Sequence, residues 1–510
     1  MGTANTNSSL PGSFTASATR ELPVARVSDP IAPSPLEPMA LALLVFTLLG
    51  GQLLDSEFVI DAMNWIAPIW LMIALSAGAL RMVLLNAASI WTSLFWFRLA
   101  TSVYFGFGSL VPLFVSPMSR SYLDQFYAAQ PDEFYRLNLL VASASLCVIG
   151  ASWAIELIFS WRETHTETSR SEETRIVYAL LFCGIGYGVK LLVEVPMMIG
   201  GYGEAAIPGA VLQIAELSSV GLYLMSSYAF RANRRWIPTS FALLAADILI
   251  GAMQFSKLAM LLPLVMFLLG WISANNSILR ALASASLVVV FYAQSQPFIE
   301  YGRKSVIDQF HVLGAGSLED RFQIARDYFT REDANDPRDE SQNGLLRLSY
   351  VNAGCFAISL FDNGKPGPAL DYAFTVLVPR FLWPDKPIIT DIGVQFNIMA
   401  TGNPNSTSEP GYFADVYWAQ GWIGDLVWMP ILGALLTLYS RFTVRVLSAG
   451  RHLYFPLVLL AMKMGLRVDG GFVSDIIGPT AFWFVGLAAV KVAEPWVVML
   501  VDMTAPRHAS

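Results

Sequence analysis

Residues 258–273 read Leu-Ala-Met-Leu-Leu-Pro-Leu-Val-Met-Phe-Leu-Leu-Gly-Trp-Ile-Ser, without one charged side chain. Only Phe255-Ser256-Lys257 separates this run from another at 237–255, and a third follows at 278–296. A helix that crosses a bilayer needs about 20 mostly apolar residues. Further runs lie at 38–54, 63–85, 90–115, 137–160, 176–199, 206–230, 422–444, 452–466 and 472–490. The expected fold is an all-α polytopic membrane protein with about eleven or twelve transmembrane helices. The count drops to eleven if the short run 452–466, or one of the closely spaced pair, is not a span.

Composition leads to the same class. The chain has 510 residues, 55% of them hydrophobic and only 14% charged. A soluble domain carries roughly 25% charged residues, because its surface must be covered by polar groups. Lipid as solvent removes that requirement. The net charge of −7 and the lack of a basic stripe with interleaved aromatics argue against nucleic acid as a partner. Cys147, Cys183 and Cys355 have no CxxC spacing, which argues against a disulfide framework or a zinc site. No phosphate-binding glycine loop occurs, which disfavours an ATP-driven transporter.

Residues 1–37 are rich in Ser, Thr, Pro and Ala and read as a disordered cytoplasmic tail. The first apolar run lacks a basic segment before it and a cleavage site after it, so it reads as a retained helix. Arginines in short loops set the orientation. Arg162, Arg170, Arg175, Arg231, Arg234, Arg235, Arg441, Arg445 and Arg451 all fall on the side of the N-terminus. The opposite loops, 55–61 and 200–205, carry no Lys or Arg. The N-terminus is therefore expected in the cytoplasm. Residues 38–296 hold helices one to nine, 297–421 form a large outer loop, and 422–510 hold the C-terminal helices and a short tail. Loops this long are usually functional or disordered. Gln323–Ser341 is charged, Leu345–Phe361 is apolar enough to touch the membrane, and Leu370–Trp383 reads as an interfacial or re-entrant element over a cavity in the bundle.

The sharpest local signal is Val378-Pro379-Arg380-Phe381-Leu382-Trp383-Pro384-Asp385-Lys386-Pro387. Three prolines fix the backbone and restrict the residues before them. A stiff turn then presents Arg380 and Lys386 with Trp383 at the interface. Arg offers a planar fork to phosphate oxygens and Lys a point charge. A headgroup anchor is the plainer alternative. A second cluster runs Ser408-Glu409-Pro410-Gly411-Tyr412-Phe413-Ala414-Asp415-Val416-Tyr417-Trp418-Ala419-Gln420-Gly421-Trp422-Ile423-Gly424, straight into the tenth span. It sets Glu409 and Asp415 near the outer surface. Tyr412, Tyr417, Trp418 and Trp422 fit an interfacial aromatic belt.

The Pro379-Arg380, Trp383-Pro384 and Lys386-Pro387 pairs resemble a signature in the outer loop of Wzy-type polysaccharide repeat-unit polymerases. The spacing Gly411, Tyr417, Gly421 and Gly424, and the late large loop, are also similar to that family. The likeness is local over about 45 residues and topological over the rest. It implies a GT-C-like, metal-independent glycosyltransferase in the bacterial inner membrane, with no cofactor. The donor would be a glycan on undecaprenyl diphosphate, and the acceptor one repeat unit on the same carrier. Membrane lipids, a flippase, and chain-length or export proteins would be partners.

Such chemistry needs cations for the leaving diphosphate and a base for the attacking hydroxyl. Arg380 and Lys386 are the first cation candidates, then Arg303, Lys304, Arg321 and Arg347. Glu409, Asp415 and Asp385 are the base candidates. Arg303, Lys304, Arg347, Trp383 and Tyr412 are expected to bind substrate. His311 is the only outer histidine and matches no motif. Ionisable residues inside the spans are Arg98, Glu156, Lys190, Glu194, Glu216, Asp247 and Lys491. Lys190 and Glu194 are expected to pair at i and i+4. Three rival readings stand: a GT-C-type transferase of single lipid-linked sugars using Asp55, Glu57 or Asp61, a transporter, and a structural subunit of an export complex in which Arg380 has no electrostatic role. The transporter predicts internal repeats, and none is visible.

Overall fold

The computed structural model describes residues 34–504 except 55, 160–171, 200–208, 276, 311–315, 331–344, 379–381, 384, 390 and 405. Arg380 and His311 therefore lie outside the described residues, as do residues 1–33 of the expected tail. Among the described residues the regular structure is all helix, and ten helices are long and apolar enough to cross a membrane. The chain is an all-α polytopic membrane protein.

In chain order the principal helices are α1 (Leu36–Leu54), α2 (Glu57–Leu85), α3 (Ser93–Phe114), α4 (Pro131–Ile158) and α5 (Thr174–Met197). They continue with α6 (Leu217–Arg231), α7 (Arg234–Met253), α8 (Lys257–Ala274) and α9 (Leu279–Phe310). The last four are α10 (Val351–Asp362), α11 (Tyr412–Ser448), α12 (His452–Leu466) and α13 (Val473–Val501). Leu53, Phe58 and Leu192 are 87%, 81% and 79% exposed, a distribution suited to lipid rather than water.

Two of the twelve expected spans fall short of membrane length. The sixth is divided at Glu216 into Gly209–Ala215 and α6, and the eleventh is α12. The same two elements are joined by an ion pair. Lys463 Nζ of α12 lies 2.6 and 2.8 Å from the Glu216 carboxylate oxygens. The helix break leaves a carboxylate, and the neighbouring short helix supplies its cation.

α4 and α11 run side by side in the same direction. The Arg136 Nη2 group donates to Tyr417 Oη at 3.2 Å, Gly433 packs on the Val148 backbone, and Glu156 pairs with Arg441. A side chain at Gly433 would separate these helices; small residues let membrane helices approach. Several other buried charges are matched too, although both Asp425 carboxylate oxygens are buried with no hydrogen-bond partner among the described residues. Arg98 meets Glu37 in a two-pronged contact of 2.7 and 2.9 Å, so the expected tail ends earlier and Glu37 belongs to α1. Lys190 pairs with Asp247 at 2.5 Å, not with Glu194, which accepts from Gln254 Nε2 at 3.5 Å. The reason is a π-helical turn over Lys190–Glu194: its wider turn breaks the i,i+4 stacking on which the expected pair depended. Lys491 is exposed on α13.

The expected outer loop begins later than position 297. The ninth helix continues through Pro297 to Phe310, because Phe298, Ile299 and Val306 are buried against Phe255, Met260 and Ile324. Arg303 and Lys304 are thus helical residues. The segment after it has its own core, in which Leu360, Ile392 and Phe396 pack on Trp418 and Val473. Val351, Cys355 and Ile358 of α10 are buried in protein, where the sequence suggested contact with the membrane. Trp418 fastens the segment: its Nε1 donates to the Lys365 carbonyl and its own carbonyl accepts from Gly367 N, both at 2.9 Å. The expected boundary at 421/422 coincides with a break in α11, where Gly421 takes φ 62° and ψ −151°. That region is open to glycine and costly for other residues.

Candidate functional site

The chain before α11 docks on the link between α12 and α13. Gly411, at φ +85°, lets the backbone turn beside Phe105 and the Val468 carbonyl. Tyr412 N then donates to Val468 O at 3.3 Å. This brings the sequence Ser408–Asp415 against Arg467-Val468-Asp469-Gly470-Gly471-Phe472-Val473-Ser474-Asp475. Asp415 Oδ2 accepts from Phe472 N at 2.9 Å. Its Oδ1 is buried with no partner, and so is the Tyr412 hydroxyl. Ser474 Oγ lies 3.0 Å from Glu409 Oε2 and 3.1 Å from Asp475 Oδ2. Arg467 reaches Asp475 at 3.3 Å and Asp469 at 3.8 Å. A methyl group at Gly471 would overlap the Glu409 carboxyl, and one at Gly470 the Asp475 carboxyl. The two glycines are what allow the carboxylates to approach the link.

Four carboxyl groups thus gather at this link, two of them paired with Arg467, and carboxylates packed together disfavour one another's ionisation. Burial, with help from Asp415 and Asp475, pushes Glu409 up to about 8. Burial also raises Asp469, against the opposing pull of Arg467. Tyr350, at the N-terminal end of α10, lies within electrostatic reach of Asp469, and burial raises its hydroxyl well above the usual range. Tyr104 stacks edge-on against Tyr350 with centroids 5.6 Å apart. Two π-helical turns, Ser102–Phe107 and Val473–Ile477, flank this centre. Such turns are frequent at functional sites.

A cationic cluster adjoins it. Glu300, almost fully buried, pairs with Arg347 and with Lys257 at 3.5 Å, and its Oε1 accepts from Gln296 Nε2 at 3.0 Å. Two basic side chains thus share one buried carboxylate. Arg303 Nε donates to the Phe255 carbonyl at 2.9 Å, and Arg321 Nη1 to the Met253 carbonyl at 3.1 Å. Both close the C-terminal end of α7, where cations are favoured. Tyr292 joins the two centres: Lys257 Nζ sits 5.6 Å above its ring, and it lies within electrostatic reach of Arg347, Glu300 and Asp469.

The residues expected from sequence divide accordingly. Glu409, Asp415 and Tyr412 meet in the carboxylate centre, and Tyr412 is buried there rather than placed in an interfacial belt. Tyr417 and Trp418 are buried too, leaving Trp422 partly exposed. Arg303 and Arg347 belong to the cationic cluster, and Lys304 is exposed beside it. Lys386 Nζ donates to the Val378 carbonyl at 2.8 Å and the Thr375 carbonyl at 3.3 Å, so it closes the end of the short helix Ala373–Leu377. Trp383 and Asp385 are exposed. The sequence reading missed Lys257, Glu300, Arg467, Asp469, Ser474 and Asp475. The signal was present in Arg467–Asp475, three charges and a Gly-Gly pair between two short apolar runs. Among the described residues no group of His, Cys, Asp or Glu side chains is arranged to hold a metal ion. No family model, curated protein or solved structure matches the chain.

Proposed function

We propose that this chain polymerises oligosaccharide repeat units carried on undecaprenyl diphosphate, at the outer face of the bacterial cytoplasmic membrane, with its N-terminus inside. The observation that carries the reading is a buried carboxyl near neutrality, Glu409, in a carboxylate centre that adjoins a basic cluster at Lys257 and Arg347. The Pro379–Pro387 signature supports it from sequence. In the proposed step, an acceptor hydroxyl attacks the anomeric carbon of the donor's lipid-proximal sugar. Its proton passes to Glu409. The bond from the anomeric carbon to the diphosphate oxygen breaks, and undecaprenyl diphosphate leaves with the electron pair. A base whose pKa lies near the working pH combines availability with strength. Lys257, Arg347 and Arg380 would stabilise the negative charge that grows on the leaving group. Flippase and chain-length proteins would work before and after this step.

Deletion of the gene followed by profiling of lipid-linked glycans tests the reading. Single complete repeat units on the carrier, exposed outside, are the expected product. Truncated units would favour a transferase of single sugars, and complete units confined to the inner face would favour a transporter.

A further inference from the structure

A groove of about 520 Å³ opens between α1, α4 and the start of the long segment of α11. Its walls include Val45, Leu49, Gln52, Arg136, Leu139 and Trp422. Tyr135 Oη donates to the Leu48 carbonyl and abuts Gly51, so Gln52 and Arg136 share one end while Val45 lies toward the other. The groove is thus an apolar trough with one guanidinium at its mouth. Arg136 Nη1 holds Asp362 at 2.6 Å and Nη2 holds Tyr417 Oη at 3.2 Å. An arginine has five N–H donors, so others remain for an anion.

The mouth connects to the carboxylate centre through α10. Tyr350, at one end of that helix, lies within electrostatic reach of Asp469, and Asp362, at the other, pairs with Arg136. Twelve residues at about 1.5 Å each separate the two by about 18 Å. The chemistry of polymerisation asks for such a separation. The donor reacts at the sugar next to its diphosphate, so that diphosphate must lie at the reacting centre. The acceptor reacts at its far end, so its diphosphate must lie one repeat unit away.

We propose that the groove holds the lipid end of the acceptor: a polyprenyl chain in the trough and its diphosphate against Arg136. This rests on the polymerase reading above. The trough faces lipid, the solvent in which such a chain is dissolved. The guanidinium supplies the charge and the fork that a phosphate needs.

The test uses the full chain in phosphatidylcholine nanodiscs, with p-benzoylphenylalanine at Leu49 as a photocrosslinker and undecaprenyl diphosphate as the probe. The expected result is a crosslink to the probe that falls about tenfold in Arg136→Ala, the loss of one charge-assisted contact. Leu49→Trp, which fills the trough, should raise the KM for acceptor and leave that for donor unchanged. Two results would overturn the inference: no crosslink in a folded protein, or equal crosslinking by phosphatidylglycerol at the same mole fraction. Unchanged acceptor KM in both variants of a strain whose deletion accumulates single repeat units would also remove it, while the polymerase reading stood. Absence of that accumulation would remove the polymerase reading itself.

Discussion

The Ser474 hydroxyl and the Glu409 carboxylate face each other at 3.0 Å, and the same hydroxyl reaches Asp475. One small side chain therefore links two acids from different elements. The hydrogen bond from Ser474 favours the ionised form of Glu409, while burial opposes it.

A pH dependence follows. Glu409 moves from an ordinary 4.5 to about 8 in the folded protein. Between those values the folded chain keeps a proton that the unfolded chain has released, so stability falls as pH rises through this window. The slope for one proton is at most about 1.4 kcal/mol per pH unit. Thermal melting of detergent-extracted protein from pH 5 to 8 should show the decline, and Glu409→Gln should flatten it. Polymer formation should rise with pH toward 8. Ser474→Ala, which deletes the bond favouring ionisation, should move that rise to higher pH.

Arg380 is expected to act on the leaving diphosphate. Loss of one such donor typically costs about 10²–10³ in rate. Arg380→Ala should abolish most polymer per molecule of membrane-extracted protein, and Arg380→Lys should restore part of it, because the charge returns without the fork. Normal polymer per molecule in Arg380→Ala would leave the Pro-rich turn as scaffolding alone.

The Glu156–Arg441 pair sits in the bundle between α4 and α11. Arg441→Ala would strand a buried carboxylate, at a cost of about 3–5 kcal/mol. Protein abundance in membranes should fall sharply. Combining Glu156→Gln with Arg441→Met should recover much of it. Equal loss in the single and double variants would show that the charges themselves, rather than their matching, support the fold.

Orientation can be checked by thiol labelling. A cysteine at Ser341 should react with an impermeant maleimide in intact cells, and one at Ser169 only after permeabilisation. The reverse pattern would put the carboxylate centre on the cytoplasmic side and defeat the proposed function.

The sequence by itself determined the class of the protein, the positions of ten of its expected spans and a boundary at 421/422. Apolar run length reports on the solvent around a helix, so it can be read without knowing neighbours; the break at Gly421 appeared only in the structure. It also marked Glu409, Asp415, Arg303 and Arg347 as chemistry-bearing residues. Partnership was decided only by the tertiary structure. Lys190 meets Asp247 instead of Glu194 because a π turn shifts its direction. Glu37 answers Arg98 from outside the expected helix. Arg467, Asp469, Ser474 and Asp475 gain their meaning when the start of α11 docks on them, bringing together residues 57 and 65 positions apart. A charge in a low-dielectric interior is costly unless paired, and which partner it meets depends on packing contacts far apart in sequence, which no local pattern encodes.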